Sequence, residues 1–241
     1  MAKKIALNFR VPTRLSDLTL GELQKFRAVT DQIEDQTEES ERFVNLKALE
    51  IFCGLELKES YNLPLSSFSS LIENVNKCLA EPTPLVKRFW FRGSEGNEVE
   101  FGLHPSLGDL SFGEYIDLDN YMSDFSNMHK AMAVLFRPIV KSHKDMYEIE
   151  EYESSDKYAE YMKYMPANVA MGAIVFFYRL GMKLSNHTIS SSLQQMSPEG
   201  RSQVEKAFLE QNGVGINQFM HSLEEMSSNL MRLQHLHSES A

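Results

Sequence analysis

The seven histidines and two cysteines are the residue types most able to ligate a metal or carry out nucleophilic chemistry, and their spacing supports neither. His104, His129, His143, His187, His221, His235 and His237 form no H-E-x-x-H pair, and His235-x-His237 lies beyond the last regular apolar spacing. His129 stands beside the apolar stripe of Met128, Met132 and Leu135, where a hydrogen-bonded structural histidine is expected rather than an acid–base catalyst. Cys53 and Cys78 fall on apolar helical positions without metal-like spacing and are expected to be buried free thiols. Asp117-Leu-Asp119-Asn-Tyr121 begins like a calcium loop. Met122 then replaces the obligatory glycine and Met128 the closing glutamate, so the loop chemistry fails. There is no G-x-S-x-G elbow, glycine-rich phosphate loop or dinucleotide fingerprint, and no carboxylate pair is marked for shared burial. The expectation is a chain without catalytic, cofactor or metal residues, one that binds rather than reacts.

Charge narrows the partners. With 34 acidic against 24 basic residues, the net charge is −10, which opposes binding to nucleic-acid phosphates. Lys3-Lys4 and Lys87-Arg88 with Arg92 are too few to reverse that field, although an aromatic-basic strand such as KRFWFR could stack single-stranded bases in another setting. Two acidic runs, 31–41 and 145–160, read as solvated linkers or exposed helix faces, with docking to a basic partner or weak cation binding as the alternative. The start MAKKIALNF alternates and is too short for a signal peptide, so a reducing cytoplasm is expected. Residues 167–184, ANVAMGAIVFFYRLGMKL, are apolar nearly all round. Asn168, Arg179 and Lys183 interrupt the run, which favours a core helix over a membrane span.

The elements that would position any site follow from an internal echo. Residues 7–23 align without a gap on 99–115, with six of seventeen positions identical: Phe9/Phe101, Leu15/Leu107, Asp17/Asp109, Leu18/Leu110, Gly21/Gly113 and Glu22/Glu114. In each copy alternating apolar residues (Ile5, Leu7, Phe9, Val11; Val99, Phe101, Leu103) predict a strand. A capping box then predicts a helix start, Thr19 with Glu22 and Ser111 with Glu114, reinforced by the staple positions Leu18/Leu23 and Leu110/Tyr115. Glycine in the first turn of both helices, Gly21 and Gly113, suggests close approach of another backbone. KALEIFC at 47–53 echoes KAMAVLF at 130–136, and Tyr61-Asn-Leu-Pro64 opens a helix as Tyr164-Met-Pro166 does.

The fold class expected is α+β, mostly α: two tandem strand-helix-helix-helix repeats over about 4–80 and 98–184, with a C-terminal helical pair. The corresponding divisions are 1–82, 83–184 and 185–241, within one compact domain or as separate units. A hairpin from 86–92 through Gly93-Ser-Glu-Gly96-Asn97 to 98–103 would join the N-terminal strand in a sheet of about three strands. Phe89 and Trp90 on opposite faces suggest that both sides of that sheet are covered. After a Ser/Gln-rich stretch at 185–195, Ile216, Phe219, Leu223, Met226, Leu230 and Leu233 recur in steps of three and four. They form the candidate partner-binding seam, serving either the chain's own core or contact with another chain, including a second copy.

The wording LSFGEYIDLDNY at 110–121, followed by MHKAMAVLFRPI at 128–139, resembles structural and assembly proteins of tailed bacteriophages, including tail-assembly chaperones. That resemblance implies a non-enzymatic protein acting in the host cytoplasm or the virion. Its partners would be other viral structural proteins, tail or capsid components, and it carries over no catalytic residues. An acidic cytoplasmic binding module or inhibitor directed at a host protein is the alternative.

Overall fold

The computed structural model describes residues 9–33, 37–92, 98–106, 109–144 and 146–177. They fall into two compact units, the first of residues 9–82 with Pro166–Asn168, the second of 83–165 with 169–177. The architecture is α+β and mostly helical, with one four-stranded antiparallel sheet.

In the first unit, a short 3₁₀ turn at Leu15–Asp17 leads into α1 (Leu20–Thr30), followed by α2 (Glu38–Ala48), α3 (Leu57–Tyr61) and α4 (Leu65–Leu79). Thr19 and Glu22 form the capping box of α1 as its sequence demands, and Thr37 with Ser40 makes a second box on α2. Helix α2 runs into a π-helical turn at Leu49–Cys53, which stops at Gly54 in the left-handed region (φ 73°). Leu18, Leu20, Leu49, Phe52 and Leu55 are fully enclosed, and the Phe26 and Phe52 rings meet at 5.0 Å. Cys53 and Cys78 are free and buried in this core, and burial pushes the Cys53 thiol up to about 11.

The second unit begins with the expected hairpin, β1 (Arg88–Arg92) and β2 (Glu98–Leu103), registered by Phe89 opposite Phe101 and Trp90 opposite Glu100. It continues through α5 (Phe112–Met122), a 3₁₀ turn at Phe125–Asn127, and α6 (Met128–Leu135). Without a break the chain then enters β3 (Phe136–His143), turns at Lys144 (φ 54°), and returns as β4 (Met146–Ile149). The sheet order is β1-β2-β3-β4. Another 3₁₀ turn at Ser155–Lys157 and the short α7 (Ala159–Met162) precede a helix over 167–177, α8, whose residues are all buried or half-buried. The most enclosed helix is α6, seven of whose eight residues are buried. One sheet face packs on the core through Phe89, Phe101 and Phe136, with Phe89–Phe101 rings 5.8 Å and Phe89–Phe136 rings 5.5 Å apart.

Several expectations change. Residues 9–12, the described part of the expected N-terminal strand, are not a strand, and Phe9 and Val11 are exposed; Ile5 and Leu7 lie outside the described residues. Among the described residues, 9–12 are tied to the rest of the unit by the Arg10 N–H, which donates to Cys53 O at 3.0 Å. The reason lies downstream. Where Phe136 carries on as β3 and pairs with β2, the corresponding Cys53 ends at Gly54 and the chain re-enters a helix, so no strand follows at that place for residues 9–12 to pair with. The sheet gains β3 and β4 instead, drawing on the run 145–160. That run is therefore no linker but β4, a 3₁₀ turn and the start of α7, and most of its carboxylates stay at the surface: Glu148, 64% exposed, bonds Lys141 at 2.8 Å, and Glu150 bonds Lys157 at 3.0 Å. Trp90 is 58% exposed, so the outer sheet face is open at that point. A Cβ added at Gly113 would meet nothing within 4 Å, so no backbone passes close to the start of α5. Tyr115 of the expected staple points outward and is exposed.

Candidate functional site

Two features of the second unit meet at α5. The first is a buried polar cluster on its inner side. Ser111 and Glu114 form the capping box: Ser111 N–H donates to Glu114 Oε2 at 2.7 Å, and Glu114 N–H donates to Ser111 Oγ at 3.3 Å. The other carboxylate oxygen of Glu114 accepts Arg137 Nη1 at 2.5 Å, and the two side chains are only 5% and 6% exposed. Burial alone would raise the Glu114 pKa. Hydrogen bonds from Ser111 and Arg137, with the Arg137 charge, outweigh it and hold the carboxylate below its ordinary range. Tyr152 lies 5.3 Å beneath the Arg137 guanidinium and donates its hydroxyl to Asp117 on α5. Burial, then the Asp117 bond, pushes the Tyr152 phenol upward. His104 Nε2 stands 3.8 Å from Glu114 Oε1.

His104, Ser111, Glu114, Arg137 and Tyr152 line a cleft of about 490 Å³, together with Pro105, Tyr147, Ile149 and the carboxylates of Glu148, Glu150 and Glu151. Its walls are the end of β2, the start of α5 and the chain leaving β4. The floor is fixed by tight packing on the sheet: a Cβ at Gly102 would fall 2.4 Å from the Tyr147 ring, whose hydroxyl donates to Leu103 O at 2.7 Å. Only glycine at position 102 admits that ring.

The first unit meets the same need with a different residue. Glu22, the capping-box glutamate of α1, pairs with Arg10, whose Nε donates to Phe52 O at 2.8 Å. Arg10 aligns with Gly102 in the 92-residue offset, and Gly102 lies directly opposite Arg137 in the β2–β3 register. The guanidinium beside the capping glutamate thus comes from the aligned segment itself in one unit and from its cross-strand neighbour in the other. The turns before the two boxes also agree, with Asp17 N–H bonding Arg14 O at 3.0 Å and Asp109 N–H bonding Ser106 O at 3.1 Å.

The second feature is the outward face of α5. Phe112, Tyr115 and Ile116 are 81%, 58% and 40% exposed, at the i, i+3, i+4 spacing that places them on one stripe. From Asp109 to Asn127 the sequence has no lysine or arginine, and Asp109, Asp119 and Asp124 are exposed there, while Glu114 and Asp117 are engaged on the inner side.

Sequence reasoning identified Glu114 only as a cap. Arg137, 23 residues further on in the same resembling stretch, carried no signal that it would return to it. Ile216, Phe219, Leu223, Met226, Leu230 and Leu233 lie outside the described residues. Asp117, Asp119 and Asn120 belong to the continuous helix α5, with Asp117 engaged by Tyr152. His129 is buried in α6. Among the described residues no group of three His, Cys, Asp or Glu side chains is placed to hold a metal ion, and no helix is long and apolar enough to cross a membrane. No protein-family model, curated protein or solved structure matches this chain.

Proposed function

We propose that this chain is a non-enzymatic assembly or virion protein of a tailed bacteriophage. It binds other viral structural proteins through helical surfaces, in the host cytoplasm during assembly as a tail-assembly chaperone would, or in the virion as a minor particle component. The observation that carries this reading is the α5 stripe. Three large apolar side chains project outward from a helix whose inner side is anchored by a buried ion pair, and rigidly held aromatic residues are the usual centres of protein interfaces. The stretch that resembles phage assembly proteins at 110–121 forms α5 itself. The apolar seam from Ile216 to Leu233 is the second contact in this reading.

The host-directed alternative draws less support from the acidic run 145–160, because Glu148, Glu150 and Glu160 are paired with Lys141, Lys157 and Lys163. Co-purification with tail and capsid components, together with mass spectrometry of purified virions, tests the proposal. Replacing Phe112, Tyr115 and Ile116 together by serine should lower association about tenfold or more, since an interface centre contributes about 2 kcal/mol or more. Truncation after Ser185 should also weaken it. Loss of binding on charge reversal across 145–160, with both other variants unaffected, favours the host-directed module.

A further inference from the structure

The fork of Arg137 is half used. A guanidinium offers two bidentate edges, and the edge formed by Nε and Nη2 is the one on which Arg88 holds Glu100, at 2.9 Å from each nitrogen. Arg92 uses the same two nitrogens on Glu98, at 3.1 and 2.8 Å. Arg137 gives only Nη1 to Glu114. Its Nε is buried without a hydrogen-bond partner, and no described residue accepts from Nη2. His104 Nδ1, on the same cleft, is likewise buried without a partner. A buried donor left unpaired costs about 1–3 kcal/mol, and here the unpaired edge belongs to a residue lining an open cleft with Pro105, Ile149, Tyr147 and Tyr152 around it.

We propose that this cleft binds a monocarboxylate, with the carboxylate seated side-on against Nε and Nη2 of Arg137, His104 alongside, and an apolar or aromatic body against Ile149 and Pro105. Planarity matches the fork. One negative charge is tolerated better than two: Glu114 shares the same guanidinium, and Glu148, Glu150 and Glu151 also line the cleft, so a doubly charged phosphate meets more repulsion. The volume suits a group of this size. The same chemistry is offered by a free small acid and by the C-terminal carboxylate of a protein chain.

The test uses the full chain and two pairs of probes: 3-phenylpropanoate with its amide, and the peptide acetyl-Ala-Gly-Phe as acid and as C-terminal amide. Binding is read by calorimetry and by the Arg137 ¹⁵Nε–¹Hε resonance, assigned through Arg137→Lys. Each acid should bind at least about tenfold more tightly than its amide, the scale of a charge-assisted bidentate bond, and should shift that resonance. Arg137→Lys keeps the charge beside Glu114 but removes the fork, and should lose the preference for acid over amide. Ile149→Trp fills the cleft without touching the ion pair and should abolish binding while circular dichroism stays unchanged. Tighter binding of the peptide acid identifies a protein C-terminus as the source of the carboxylate, and tighter binding of 3-phenylpropanoate a small acid. Equal affinity for acid and amide, no saturable binding of either acid, or binding indifferent to Ile149→Trp overturns the proposal.

Discussion

Replacing Glu114 by glutamine should destabilise the second unit more than any other single charge removal among its described ion pairs. The carboxylate accepts from the Ser111 N–H at 2.7 Å and from Arg137 at 2.5 Å, and both partners of the ion pair are about 95% buried. A carboxamide of the same shape has one oxygen for two donors, so its NH₂ must confront either the guanidinium or the backbone N–H. Removing one partner of a buried pair costs about 3–5 kcal/mol, because the other charge stays in a poorly solvating interior. With a urea slope of about 2 kcal/mol/M, that amounts to a midpoint lower by roughly 2 M. Trp90, the only tryptophan, lies on β1 of the same unit, so its fluorescence with circular dichroism follows the transition. Glu148→Gln removes the exposed pair with Lys141 and serves as the control, with no resolvable change expected. Adding Arg137→Met to Glu114→Gln should restore a large part of the loss, since no unpaired charge then remains. If Glu114→Gln shifts the midpoint no further than Glu148→Gln, the ion pair does not anchor α5 and the argument from its rigidity fails.

Gly172→Ala should destabilise the second unit by about 1–3 kcal/mol, the usual cost of overpacking, because the new Cβ would fall 2.3 Å from Pro84 O, a backbone atom that cannot swing away; urea denaturation of the variant checks this. Stability should also fall as pH drops below about 6.5. Burial, then the charges of Lys163 and Lys130, lower the His129 pKa against the opposing pull of Glu160 and a backbone bond to Ser126. The unfolded chain therefore takes up a proton that the native state resists, so this contribution is full above pH 6.5 and is lost on acidification. His129→Gln should flatten the midpoint-versus-pH curve between pH 7 and 5.5, whereas an unchanged slope would assign the effect elsewhere.

Local signals in the sequence determined the helix starts and the first hairpin. Thr19 with Glu22 and Ser111 with Glu114 satisfy orphan backbone donors using atoms three residues apart, so no distant contact is needed for them to be read. Pro64 and Pro166 stand immediately before helices for the same kind of local reason. In the second unit β3 and β4 stand between α6 and α7, an interruption of the helices that the sequence conceals. Pro138 argues against a paired strand, and the carboxylates of 145–160 look solvated. Strand formation here needs partners that local pattern does not name: Pro138 has no N–H to give, but its O accepts from Glu150 N–H at 2.9 Å, and Lys141 and Lys157 pair with Glu148 and Glu150 at the surface. The exposed stripe of α5 was unreadable for a related reason. Phe112, Tyr115 and Ile116 have the spacing of a core-facing helix, while Glu114 has the look of a surface residue. Tertiary structure reversed that orientation by bringing Arg137 across β3 to the buried carboxylate, so the ion pair took the inside and the apolar side chains were turned toward solvent.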